Sequence, residues 1–150
     1  MLLALGCVVV GTDALAASKG YSFKFNKESI SIHSAAKNFI KKAGTANDKS
    51  KVKSCAYNGY DRTYVYDDFT LKTYSKTKSG AEYVSSITLT SKDVKTLEGI
   101  KIGSSKKDMI KKYGKNTGEF GIYTYTKGKT KLIFELDEKD KIIYIEYIGD

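Results

Sequence analysis

Two tetrads, Ser34-Ala35-Ala36-Lys37 and Ser104-Ser105-Lys106-Lys107, carry the Ser-x-x-Lys spacing in which a lysine one helical turn on can activate a serine nucleophile. Lys78-Ser79-Gly80 matches the third box of the penicillin-recognising enzymes that use this pair, but their middle box has no match here. A chain with 25 Lys among its 150 residues meets so short a pattern by chance, and a helix-capping role explains both serines at once. His33 is the only imidazole, and Cys55 is the thiol with which it could form a nucleophilic pair. One His and one such Cys fall short of the four ligands of a structural zinc site. Asp61, Asp67 and Asp68, and the run Asp137-Glu138-Lys139-Asp140, offer carboxylates but lack the glycine and terminal glutamate of a calcium loop, so turns are the better reading. Gly118 and Gly121 flank an expected strand instead of opening a helix, which leaves no phosphate cradle. The expectation is a protein that is not an enzyme, with no catalytic residue, metal or cofactor.

Charge narrows the partners. The chain has 26 basic and 17 acidic residues, a net charge of +9, and Arg62 is its only arginine. Planar forks that grip phosphates and bases favour Arg, so a lysine-dominated charge argues against nucleic acid and for solubility with attraction to anionic surfaces.

The beginning of the chain reads as an address. Leu2 to Gly11 form an apolar run of ten residues, and Ala14-Leu15-Ala16-Ala17 provides a small-x-small cleavage pattern. The run is too short to span a bilayer, so residues 1–16 read as a secretory signal peptide cut near Ala16. Other readings are a buried N-terminal element, or a lipid anchor at Cys7. Cleavage leaves 134 residues at +10 with Cys55 as the remaining thiol. No other apolar run reaches membrane length, and a secreted or cell-surface location is expected.

An internal match dominates the rest. Residues 30–44 read ISIHSAAKNFIKKAG and residues 100–114 read IKIGSSKKDMIKKYG, with eight of fifteen positions identical at an offset of 70. Each copy predicts a short helix, N-capped by Ser34 or Ser104, ended by Gly44 or Gly114, and burying Ala36, Phe39, Ile40 and Ala43 or Met109, Ile110 and Tyr113. The period then changes to two. Strands are expected at 63–66, 69–74 and 83–90, and again at 120–126, 130–136 and 141–148, with one more at 21–25 before the first helix. The expected fold is α+β, two tandem repeats spanning 17–90 and 91–150. Each repeat is a short helix followed by a three-stranded antiparallel meander, with the helices on one face of the sheet.

The tandem pattern of a helix opened by Ile-x-Ile-Gly-Ser, closed by Tyr-Gly and followed by a meander resembles the repeat of the secreted β-lactamase inhibitor protein family and of the related small lipoproteins of outer-membrane assembly. The segments SCAYNGYDRTYVYDDFTLKTYS and TLEGIKIGSSKKDMIKKYG are also similar to secreted proteins of low-GC Gram-positive bacteria. The resemblance covers roughly residues 21–148. It implies that the concave sheet face and hairpin loops engage a partner, and it assigns inhibitory residues to no position here.

Tyrosine supplies the last clue. Tyr57, Tyr60, Tyr64, Tyr66, Tyr74, Tyr123 and Tyr125 gather around the first strand of each expected meander, with Tyr64 and Tyr66 sharing a sheet face with Tyr123 and Tyr125. Tyrosine offers large contact area and a hydroxyl at low entropic cost, though it is also an ordinary strand former. The expected function is binding of a protein partner at the bacterial surface through Tyr60, Tyr64, Tyr66, Tyr74, Tyr123 and Tyr125. The alternatives are inhibition of a secreted or cell-wall enzyme such as a β-lactamase, and binding of an anionic wall polymer or glycan.

Overall fold

The computed structural model describes residues 20–150. The expected signal segment and Cys7 lie outside them. The described chain runs β1 (Ser22–Phe25), β2 (Glu28–Ser31), α1 (Lys37–Ala43), β3 (Asp48–Lys53), β4 (Tyr60–Val65), β5 (Phe69–Ser75), β6 (Glu82–Leu89), α2 (Lys106–Tyr113), β7 (Ile122–Lys127), β8 (Thr130–Leu136) and β9 (Ile142–Gly149). Strands β3 to β9 form one antiparallel sheet in the order β3-β4-β5-β6-β9-β8-β7, and β1 and β2 form a separate hairpin.

This corrects the expected fold class. The chain is mostly β, with nine strands against helices of seven and eight residues among the described residues, and it is not an α+β pair of helix-plus-meander repeats. Four strands, not three, follow α1. They fuse with β7 to β9 into one sheet where β6 pairs with β9, from Ser86 against Ile148 to Leu89 against Ile145. Two elements escaped the hydrophobic pattern. β3 reads DKSKVK and is exposed throughout, so no alternation marks it. β2 pairs with β1 across Asn26 and Lys27, both at positive φ (47° and 67°), the backbone of a tight two-residue hairpin turn.

The other strands are held by alternation. Phe69, Leu71 and Thr73 of β5, Leu132, Phe134 and Leu136 of β8, and Ile145 and Tyr147 of β9 are buried on one side of the sheet, which the helices and the β1–β2 hairpin cover. Phe23 anchors the hairpin there, its ring 5.2 Å from that of Phe69 and 6.2 Å from those of Phe39 and Tyr147. Phe39 of α1 and Met109 of α2 are buried in the same core, with Ile40, Ala43, Ile110 and Tyr113 packed at its margin.

The helix ends are partly as expected. Gly44 and Gly114 take φ of 90° and 97° and donate to the carbonyls of Ile40 and Ile110, a conformation that favours glycine. The N-caps differ. α1 begins after Ala36 with no side-chain cap, and Ser34 instead donates to the Ser31 carbonyl at 2.6 Å. Ser105, not Ser104, caps α2 by accepting from the Asp108 N–H at 3.1 Å. Among the described residues no helix is long and apolar enough to cross a membrane.

Candidate functional site

Four of the six tyrosines expected to meet a partner are core residues. Tyr64, Tyr66, Tyr123 and Tyr125 are 4%, 7%, 5% and 7% exposed, so they share a face, but it is the covered one. Tyr66 stacks on Phe69 with ring centroids 4.6 Å apart, and Tyr125 packs between Tyr113 and Phe134 while its hydroxyl donates to the Gly114 carbonyl at 2.9 Å. The binding face built on these four is therefore corrected. A phenol that is mostly hydrocarbon suits a core as well as a surface, and alternation alone cannot say which side of a sheet the helices cover.

The other two tyrosines lie on opposite sides. Asp61 and Tyr74 are register partners across β4–β5, and Tyr74 faces Tyr83 across β5–β6. This places Tyr74 and Tyr83 on the outward side, where both are half-buried. Tyr57, 42% exposed and in the loop between β3 and β4, stacks nearly parallel on Tyr74 at 5.2 Å and 18°. Tyr83 continues the row at 5.7 Å from Tyr74. His33 closes it edge-on at 6.2 Å, with its Nδ1 3.4 Å from the Tyr74 hydroxyl. Its ring lies against Gly149, where a Cβ would come within 2.6 Å of Nε2. Burial, followed by the neighbouring Tyr57 and Tyr83, holds the Tyr74 phenol above its ordinary pKa. Tyr83 and His33 were missed as members. Hairpin symmetry about the turn at 76–80 sets Tyr83 opposite Tyr74 and is the signal that could have found it.

Tyr60 belongs to the inner side. There β3 contributes Lys49, Lys51 and Lys53, register partners of Tyr64, Arg62 and Tyr60. The Lys51 ammonium sits 3.9 Å from the Tyr60 ring centroid, and the Lys49 ammonium 4.9 Å from that of Tyr64. Behind them Glu82 gathers Arg62, Tyr64 and Thr73 around one carboxylate. Burial, then the hydrogen bond to Glu82, raises the Tyr64 pKa strongly. An open groove of about 500 Å³ runs between α1 and this corner, lined by Lys37, Ile40, Lys49, Tyr64 and Glu82.

The residues that suggested chemistry occupy structural positions. The hydroxyl of Ser34 serves a turn and that of Ser105 a cap, while Lys78, Ser79 and Gly80 lie in the β5–β6 loop. Asp137 Oδ1 accepts from the N–H groups of Lys139 and Lys141 at 2.9 and 2.8 Å, and Asp68, in the bend between β4 and β5, accepts from the Ser91 hydroxyl at 2.6 Å; these are turn residues as expected, whereas Asp61 lies within strand β4. Cys55 is exposed and free. No group of three or more His, Cys, Asp or Glu able to hold a metal occurs among the described residues.

No family model matches the chain, and no curated protein matches it in sequence. Among solved structures it is similar to a cysteine-rich secretory protein from Staphylococcus aureus, at 12% identity and a TM-score of 0.52. The match covers 79% of this chain and 43% of that one, so the chain spans less than half the length of this neighbour, and what the two share is a fold.

Proposed function

We propose that the chain is an exported, non-enzymatic binding protein that receives a protein partner on the outward face of its sheet. The observation that carries this reading is the stacked row Tyr57–Tyr74–Tyr83 with His33 at its edge, with Tyr57 exposed and Tyr74 and Tyr83 half-buried on the outward side of the sheet. Core tyrosines are explained by packing. A solvent-facing aromatic row offers instead a pre-ordered contact surface whose side chains have little freedom left to lose. Export is supported by the apolar run and cleavage pattern at 2–17, and by a fold neighbour whose name marks it as secretory.

The test is capture from bacterial surface extracts by the wild type and by a Tyr57→Ala/Tyr74→Ala double variant. A partner retained by the wild type and lost by a variant with an unchanged melting curve supports the reading. A partner retained equally by both removes the tyrosine row from the site. The same row could seat the flat face of a sugar ring, which is the second reading. Retention on purified cell walls that survives high salt and disappears in the double variant would move the proposal from protein to glycan.

A further inference from the structure

β3 is an edge strand, paired with β4 on one side and with no strand on the other among the described residues. Sheet edges are usually blunted by lysines lying over the free backbone. Here the lysines lean the other way. Lys51 is drawn 3.9 Å from the Tyr60 ring centroid and Lys49 4.9 Å from that of Tyr64, so both ammonium groups sit over β4, one strand behind the edge. One step beyond the Lys53–Tyr60 pair, the Ser54 N–H donates to the Gly59 carbonyl at 3.1 Å. Hydrogen-bonded and non-hydrogen-bonded pairs alternate along an antiparallel ladder, so the N–H groups of Lys49, Lys51 and Lys53 point away from β4; that of Lys49 is taken by Asp48 Oδ1 at 2.8 Å, which leaves those of Lys51 and Lys53 for an added strand. The outer side of the same strand carries Val52, 61% exposed, between Ser50 and the β3 terminus.

We infer that this edge is a docking site for an extended acidic segment of a partner protein, which adds to the sheet as a strand beyond β3. An added strand sets alternate side chains beside Lys49, Lys51 and Lys53, and the others beside Asp48, Ser50 and Val52. Glutamates on the first side meet Lys53, and draw the flexible Lys49 and Lys51 side chains off the Tyr64 and Tyr60 rings toward the added strand. Arg62 is already paired with Glu82, at 3.4 Å, so the lysines are the cations left for a ligand. Apolar residues on the second side cover Val52. The ligand is thus a strand of alternating acidic and β-branched residues, with main-chain bonds supplying affinity and the lysine row supplying selection. This edge is separate from the tyrosine row, and the inference does not depend on the reading above.

The probe is a fluorescent peptide of alternating Glu and Val, titrated into residues 17–150 and followed by anisotropy and by amide exchange. Expected results are saturable binding, slowed exchange at Lys51 and Lys53, and loss of about tenfold or more in affinity for a peptide of the same composition with its glutamates in one block. The triple variant Lys49→Glu/Lys51→Glu/Lys53→Glu should reject the Glu-Val peptide and accept a Lys-Val one. Lys51→Pro, which removes one outward N–H at a position where an edge strand tolerates proline, should weaken binding without unfolding. Tyr57→Ala/Tyr74→Ala should bind the peptide normally, which separates this site from the proposed partner face. No binding at millimolar peptide overturns the inference. So does binding without exchange protection at β3, or inorganic polyphosphate competing as well as the peptide, since either would mean a diffuse polyanion surface.

Discussion

The Tyr64 hydroxyl donates to Glu82 Oε2 at 2.8 Å, and the same oxygen accepts from Thr73 at 2.9 Å while Arg62 Nε lies 3.4 Å from Oε1. One carboxylate thus satisfies groups from β4 and β5, and Thr73 is 1% exposed. Removing it strands a half-buried guanidinium and two hydroxyls. Glu82→Ala should lower stability by roughly 2–3 kcal/mol in urea unfolding, and Glu82→Gln by about 1 kcal/mol. A loss below about 0.5 kcal/mol for the alanine variant would show that water replaces the network at little cost.

Two other tyrosines should behave oppositely. The buried hydroxyls of Tyr66 and Tyr147 have no hydrogen-bond partner among the described residues. Burying an unpaired hydroxyl is unfavourable, so Tyr66→Phe and Tyr147→Phe should leave the melting temperature unchanged or raise it, while Tyr64→Phe should lower it by about 1 kcal/mol of stability. Calorimetry on the three variants checks the order.

Alkaline pH should unfold the protein earlier than its neutral stability suggests. Burial first, then the hydrogen bond to Glu98, pushes the Tyr113 pKa far above the ordinary 10.0, and burial does the same for Tyr147. Above pH 10 the unfolded chain releases protons that the folded chain keeps, so the folded state holds more protons and stability falls as pH rises. Urea midpoints one unit below and one unit above 10.0 should show this drop, and Tyr113→Phe should flatten it. A slope that Tyr113→Phe leaves intact would assign the effect to other groups.

The two helices should respond differently to loss of a serine. Ser105 accepts from the Asp108 N–H at 3.1 Å and donates to Asp108 Oδ2 at 2.6 Å, a reciprocal cap that also lowers the Asp108 pKa. Ser105→Ala should cost about 1 kcal/mol. Ser34→Ala removes a turn bond to Ser31 instead, and the start of α1 should not move, as amide exchange at Lys37 to Phe39 can show.

How far the chain could be read follows from where hydrophobicity and backbone agree. β5 declares itself because Phe69 and Leu71 alternate with Thr70 and Lys72, β8 because the apolar run Leu132-Ile133-Phe134 is set between Lys131 and Glu135, and the glycine ends of both helices because Gly44 and Gly114 take left-handed backbone that side chains resist. β3 was illegible because its stability is borrowed from the tyrosines of β4, a relation between strands that no local window contains. The tyrosine face was legible as a face and misjudged as to side. Tyr64 and Tyr125 are amphipathic, and only the position of α1 and α2 decides that they point inward. Ser34 and Ser104 were misplaced as caps because the matching register hid a start one residue later for α2, at Ser105.

The pairing of β6 with β9 has a consequence for the order in which the chain can fold. β9 is the last described element in chain order, yet it lies inside the sheet, between β6 and β8. Leu89 must wait for Ile145, so strands made early keep an open hydrogen-bonding edge until residues 142–149 have been synthesised. Until β9 arrives, β6 and β8 each lack the neighbour that joins them, and the two halves of the sheet cannot close into one.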